Sequence, residues 1–460
     1  MRGTRRLILL AAASTIVLGL LAAAPAYGAG KEKTLYSFCS RPDCADGAII
    51  FQAGLVFDAA GNLYGTTVAG GRGCATNVPP GCGTAFRLAP GADGRWAETV
   101  LHKFCEDGCT TQPIPSSLAF DLAGNLYGVF NGGGPDYCSL FEEPCGQVFE
   151  LMPSESGPWG EKILFGFVGK LGWGPFGGLI LDSAGNLYGA TFSGGYGDCD
   201  EVGDGCGTVF EASPRENGRW AVKFPYAFDG SDGAVPVGSL LFDAAGNLYG
   251  SSQYGGPTQD CSEPYLGCGT VFKLTRGEGG TWTLRNLHYF GGGKYGSVPN
   301  GNLIVDSAGN LYGTTQFGGS GNCPHGGYFP GCGVVFELIH AGGKWTYKVL
   351  HEFENNGRDG YYPYGGLVFD KAGNLYGTTS SGGAGGASCF ANYDGCGVVF
   401  EVTPGTNGKW TERIVHSFKN DGKDGIEPMA GLVIDGAGNL YGTTYVGGDA
   451  GYGTVFEITP

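Results

Sequence analysis

Sixteen cysteines, six histidines and a regularly spaced set of aspartates are the residues of this 460-residue chain best equipped for chemistry. Six close cysteine pairs recur along it: Cys74 with Cys82, Cys138 with Cys145, Cys199 with Cys206, Cys261 with Cys268, Cys323 with Cys332 and Cys389 with Cys396. Cys39 with Cys44 and Cys105 with Cys109 complete an even count. Thiols at this spacing suit either a local disulfide or part of a metal site. Each pair brings only two thiolates and no regularly placed histidine, whereas structural zinc takes four ligands. Eight local disulfides are therefore expected, and neither a metal nor another cofactor. Closing loops this short stabilises by roughly 2–3 kcal/mol each in the chain-entropy model. Such bridges should order loops rather than hold larger units together.

The histidines do not read as proton carriers. His102, His288, His351 and His416 share one position of a repeat that Tyr36, Phe165 and Tyr226 fill elsewhere. A position that accepts His, Tyr or Phe asks for a flat, partly buried ring. His325 and His340 fall outside that register and read as surface residues. Asp58, Asp121, Asp182, Asp243, Asp306, Asp370 and Asp435 all precede the same Gly-Asn turn, where a carboxylate accepts backbone N–H groups. Asp229–Gly233, Asn356–Gly360 and Asp421–Gly425 follow an Asp/Asn-Gly-x-Asp-Gly pattern. These runs lack the ligand count of a calcium loop and read as tight turns.

Behind these residues stands a repeat. Gly-Asn-Leu-Tyr-Gly begins at Gly61, Gly124, Gly185, Gly246, Gly309, Gly373 and Gly438. In the first unit Leu55 to Asp58, Asn62 to Thr67, Gly83 to Leu88 and Trp96 to Phe104 read as four strands joined by turns. Seven such sheets, each too small to stand alone, predict an all-β, seven-bladed β-propeller over residues 30–460. The seventh unit ends at Pro460 without a fourth strand, while Leu35-Tyr36-Ser37-Phe38 matches Val415-His416-Ser417-Phe418. The N-terminal strand is expected to complete the last blade and close the ring. Trp96, Trp159, Trp220, Trp282, Trp345 and Trp410 open the fourth strand and read as packing anchors between blades.

The pattern Gly-Leu-Val-Phe-Asp-x-Ala-Gly-Asn-Leu-Tyr-Gly-Thr-Thr, followed by Gly-Gly, Gly-Thr-Val-Phe-Glu-Leu and Trp-Thr, resembles the gloeo/verruco (GloVer) tandem repeat of exported bacterial proteins. The resemblance covers about residues 34–460. It implies an exported repeat protein with no assigned biochemical role. Members often carry a C-terminal surface anchor, and here the sequence stops directly after the last strand.

Residues 1–28 read as a secretory signal: Arg2, Arg5 and Arg6, then an apolar run from Leu7 to Leu21, then small residues up to Gly28. No later segment is long and apolar enough to span a bilayer, so a secreted protein, extracellular or periplasmic, is expected. The formal net charge is −16 and becomes more negative once those arginines leave. Such a surface repels phosphate backbones and excludes nucleic acid as a partner.

In a propeller the loops joining strands two and three share a face with those joining strand four to the next blade. That face carries the cysteine pairs, and function usually sits on loops held by a rigid scaffold. Its candidate binding residues are Trp173, Phe176, Tyr137, Tyr196, Tyr265, Tyr328, Tyr361, Tyr362 and Tyr393, rings suited to sugar faces or to a protein partner. Trp173, flanked by glycines, is the one tryptophan outside the repeated series. No nucleophile elbow, zinc-site histidine cluster or phosphate loop is present, and no catalytic residue is assigned. A monomeric binding module is the leading reading. An extracellular polysaccharide hydrolase or lyase is its rival, and a purely structural scaffold the third.

Overall fold

Each repeat is built outward from its Asp-x-x-Gly-Asn-Leu-Tyr-Gly segment. Asp58 Oδ1 accepts the N–H groups of Ala60 and Asn62 at 2.9 Å each, and Oδ2 accepts Asn62 Nδ2 at 2.7 Å and the Tyr64 hydroxyl at 3.0 Å. Gly61 completes this turn at φ +83°, a conformation that L side chains rarely adopt. Gly65 has a different reason to be glycine. It faces Phe86 on the next strand, and a Cβ there would meet the Phe86 ring at 2.6 Å. One motif thus fixes a turn and makes room for a core ring.

The computed structural model describes residues 30–71, 81–104, 115–132, 146–155, 157–168, 171–197, 199, 205–257, 267–323, 329–384, 389 and 395–460. It shows seven four-stranded antiparallel blades arranged as a propeller. Blade I consists of Val56–Phe57, Leu63–Thr66, Thr84–Pro90 and Trp96–Lys103. The same order recurs over 119–166, 180–227, 241–289, 304–352 and 368–417. Blade VII takes Val433–Ile434, Leu440–Thr444 and Thr454–Thr459 from the C-terminus and Lys31–Ser37 from the N-terminus. Lys31 pairs with Thr459 and Ser37 with Thr454, so ring closure by the first strand is as expected. The signal segment lies outside the described residues. Among those residues no helix is long and apolar enough to cross a membrane.

The core is a set of inter-blade layers. Leu63, Phe86 and Leu88 of blade I are fully buried together with Tyr441 and Val455 of blade VII. The six fourth-strand tryptophans pack against the motif tyrosine of the preceding blade: Trp96 on Tyr441, Trp159 on Tyr64, Trp220 on Tyr127, Trp282 on Tyr188, Trp345 on Tyr249 and Trp410 on Tyr312. Centroid separations run from 5.9 Å for Trp96 to 6.4 Å for Trp282. Since each tyrosine also donates to the turn aspartate of its own blade, the turn, the core and the blade interface are one connected unit. Such aromatic pairs add about 0.5–1.5 kcal/mol beyond burial. At the seam between blades VI and VII the place of the tryptophan is taken by Gly30, whose N–H donates to Val415 O at 3.0 Å.

Candidate functional site

Between strand four of one blade and strand one of the next runs a short connector. It pairs with the far end of strand two, as Trp173–Pro175 does with Ser193 and Thr191, and Ser297–Pro299 with Phe317 and Thr315. Its second residue has positive φ in six blades: Ile49, Gly174, Val235, Val298, Tyr362 and Glu427, all between 56° and 63°. Five of the six carry a side chain, a backbone strain that persists only when neighbours over-determine it. Hydrogen bonds from two blades do so. Val235 N–H donates to Cys206 O of the previous blade at 2.9 Å, and Val235 O accepts Gln253 N–H of its own blade at 3.0 Å. Val298, Tyr362 and Glu427 likewise donate to Cys268, Cys332 and Cys396.

The cysteines stand beside these bonds. Cys39–Cys44, Cys199–Cys206, Cys323–Cys332 and Cys389–Cys396 are bridged within their own loops. Cys82 and Cys268 are also disulfide-bonded. Their expected partners Cys74 and Cys261 lie outside the described residues. So do both members of two expected pairs, Cys105 with Cys109 and Cys138 with Cys145, and those two bridges remain expectations from the sequence. The second cysteine of each described blade pair is buried and hands its carbonyl to the next blade. The backbone of that position reaches a blade interface, while the bridge itself stays within its loop. Blade VII, which has no pair, uses Tyr452, whose carbonyl accepts Ile49 N–H at 2.7 Å.

The connector then turns into the central channel. A cavity of about 380 Å³ opens there, lined by backbone and by one layer of side chains that differs from blade to blade. That layer presents Gln52, Phe176, Val237, Asn300, Tyr364 and Met429. Below it stand Ser117, Ser239 and Asn302, where other blades have glycine. Gly54 N–H donates to Ser117 Oγ, Gly178 N–H to Ser239 Oγ, and Ser239 N–H to Asn302 Oδ1 at 2.7 Å. Asn300 Oδ1 accepts Gln253 Nε2 at 2.8 Å. Among the described residues the Nδ2 groups of Asn300 and Asn302 and the amide of Gln52 have no protein partner. Among the same residues no aspartate, glutamate or histidine lines the cavity. Glu427 stands two residues before Met429, at a connector position that is apolar or aromatic in most blades. Burial pushes its carboxyl up to about 7.

The residues expected to bind are only partly brought together. Phe176 lines the channel and packs edge-on to Phe51 at 6.3 Å. Tyr196 is 85% exposed. Trp173 lies in a strand rather than a loop, half-buried beside Phe192 at 6.2 Å, and is not part of the channel wall. Tyr361 and Tyr362 are buried, packed edge-to-face at 4.9 Å, and so present no exposed ring; they belong to the core that the connector closes over. Tyr137, Tyr265, Tyr328 and Tyr393 lie outside the described residues.

The ring position of strand four proves to be more than a packing site. His351 Nε2 lies 3.2 Å from Asp359 Oδ2, His416 Nε2 lies 3.2 Å from Asp424 Oδ2, and the Tyr36 hydroxyl donates to Asp46 at 2.7 Å. Tyr226 donates to Asp232 in the same way. In the Asp/Asn-Gly-x-Asp-Gly runs the first residue caps the turn, as Asn356 Oδ1 does for Arg358 and Asp359 N–H, while the second aspartate turns inward to the ring. The constant spacing from His351 to Asp359 and from His416 to Asp424 was a signal available in the sequence. Among the described residues His288 has no such partner: it stacks on Tyr347 at 4.0 Å, and burial lowers its pKa to about 4.

The chain is a seven-bladed β-propeller with uniform turns on one face and, among the described residues, a varied and uncharged channel mouth on the other. The chain belongs to the Gloeobacter/Verrucomicrobia repeat family, whose model matches residues 137–386 and 323–460. No curated protein matches it. Among solved structures it is similar to a luciferin-regenerating enzyme, with 11% identity, TM-score 0.41, and 94% of this chain and 95% of that one covered. A gluconolactonase from Xanthomonas campestris gives 12% identity and TM-score 0.39, with 93% and 89% covered. The likeness is too distant to carry an activity over to this chain.

Proposed function

We propose that this protein is an exported binding module whose channel mouth takes a neutral, hydroxyl-rich ligand such as the end of a saccharide chain. The observation that carries the reading is the layer Gln52, Phe176, Val237, Asn300, Tyr364 and Met429. The turn aspartate and the motif tyrosine that serve the blade are the same in every repeat, and this layer is different in every blade that contributes to it. It combines two aromatic faces with amide donors and no charge, the complement of a sugar ring with its hydroxyls. Half-exposed Trp173 and exposed Tyr196 extend the same face outward. Disulfide formation and the N-terminal signal support a location outside the cytoplasm.

The hydrolase reading is less well supported, because acid–base cleavage of a glycosidic bond needs a pair of carboxyl groups flanking that bond. Among the described residues the cavity wall offers none. The test is a screen of the purified protein against polysaccharides, scoring both retention and cleavage. Binding without cleavage is expected. Asn300→Ala and Tyr364→Phe should each weaken retention by about 1–3 kcal/mol, as for interface anchors, with only a small fall in melting temperature from the hydrogen bond each loses to Gln253 or Gln316. Retention that survives both substitutions would move the site away from the channel. Cleavage that tracks the protein would revive the enzyme.

A further inference from the structure

Two blade interfaces carry the same unassigned cluster. His351 and Asp359 of blade V face Glu412 of blade VI, and His416 and Asp424 of blade VI face Glu32 on the N-terminal strand that completes blade VII. Within each trio one imidazole nitrogen and one oxygen from each carboxylate all lie within 4.8 Å of one another. The two trios are related by one step of the repeat. Their aspartates are held by the same bonds: Asp359 accepts the N–H groups of Glu354 and Gly360, and Asp424 those of Lys419 and Gly425. The aspartate side chains are each 9% exposed, and the histidines 18% and 16%.

Two carboxylates facing each other in a partly buried seam need a cation. The equivalent place between blades VII and I shows how one is supplied. There Asp46 stands near Glu98, and Arg41 Nη2 reaches Glu98 Oε2 at 2.6 Å. At the two histidine clusters an imidazole stands between the carboxylates, and it is a cation only when protonated. Arg413, beside Glu412 in sequence, turns its guanidinium to Glu401. Glu412 Oε1 is buried without a hydrogen-bond partner among the described residues.

We infer that each trio is a binding site for a divalent transition-metal ion of the zinc class, joining adjacent blades where Arg41 does so elsewhere. One imidazole and two carboxylates suit a borderline ion, and a fourth position is left for water. Ligand atoms around tetrahedral zinc stand about 3.3 Å apart, given metal–ligand bonds of about 2.0–2.1 Å. The His–Asp separation of 3.2 Å already meets that spacing, and the glutamate oxygen lies within 4.8 Å of both ligand atoms. The Glu32 site has a structural consequence of its own. It bridges the seam where Gly30 replaces the tryptophan, and it ties down the strand that closes the ring.

The test is zinc titration of the full chain, stripped with chelator and kept non-reduced so that no thiol contributes. Two ions per chain are expected, with a rise in melting temperature on loading. Glu412→Gln and Glu32→Gln should each leave one ion, and the double variant none, while Glu98→Gln retains both. Cobalt should give visible absorption that disappears in the same order. Circular dichroism in chelator checks that each variant is folded. Zinc uptake unchanged in the folded double variant would overturn the assignment, as would no uptake by the unsubstituted chain. Calcium uptake without zinc uptake would also overturn it, since a hard ion has no need of the imidazole.

Discussion

The two faces of the ring are made from the same repeat and behave oppositely. On one, the Asp-x-x-Gly-Asn turn is copied in every blade, and its aspartate is saturated: Asp306 accepts Ala308 N–H, Asn310 N–H and Nδ2, and the Tyr312 hydroxyl. On the other, equivalent connector positions hold Phe176, Val237, Asn300, Tyr364 and Met429, and among the described residues the Asn300 Nδ2 group is unspent. A repeated residue answers a need that recurs at every blade, such as a turn or a packing contact. A residue that changes from blade to blade is free of that need, and its chemistry can be used on a ligand.

Substitutions should divide along the same line. The largest effect belongs to the ring itself. Deleting residues 30–37 strips blade VII of its fourth strand and exposes Thr454–Thr459 as an open edge. The expected outcome is aggregation or loss of cooperative melting, and a monomer with an unchanged melting temperature would contradict closure. Next, Trp345→Ala removes a ring packed on Tyr249 and should cost about 3–5 kcal/mol in denaturant titration, as for a core aromatic. A cost near zero would mean that the repeated tryptophans are not the inter-blade anchors.

Asp306→Ala leaves three donors unmet on the uniform face, the Tyr312 hydroxyl keeping Glu337 Oε1 at 2.9 Å, and should cost about 1–3 kcal/mol. Its pH dependence has a definite sign. Burial acts to raise the carboxyl pKa, but the bonds from Asn310, Ala308 and Tyr312 outweigh it and hold the pKa below the ordinary range. The stabilisation is therefore present above the unfolded value of about 3.9 and is lost as pH falls through the folded one. The difference between Asp306→Ala and the parent chain should shrink in acid.

The effect on the connector face runs the other way. The Glu427 carboxyl, raised by burial to about 7, disfavours folding increasingly as pH rises from the unfolded value of about 4.3 through 7. Glu427→Gln should raise the melting temperature at pH 8 and leave it nearly unchanged at pH 5. An equal shift at both values would show that the carboxyl is not held in its neutral form by burial.

The sequence by itself determined the blade count, the strand order and the closure by residues 31–37. Each of these rests on local information repeated seven times: a turn motif, a two-residue alternation and a matching strand at either end. It also assigned the cysteine pairs that the structure describes, because their partners are near in sequence. What it could not supply is what the ring brings together. The channel layer draws one residue from each of several blades, Gln52 and Met429 among them, and these meet only because the sheets are wound around an axis. Tyr361 and Tyr362 read as loop residues because burial by a neighbouring blade leaves no local trace. The same holds for Glu32 and His416, which stand at opposite ends of the chain. Pairing of Lys31–Ser37 with Thr454–Thr459 inside blade VII sets Glu32 against blade VI, and no spacing within either segment could have shown it.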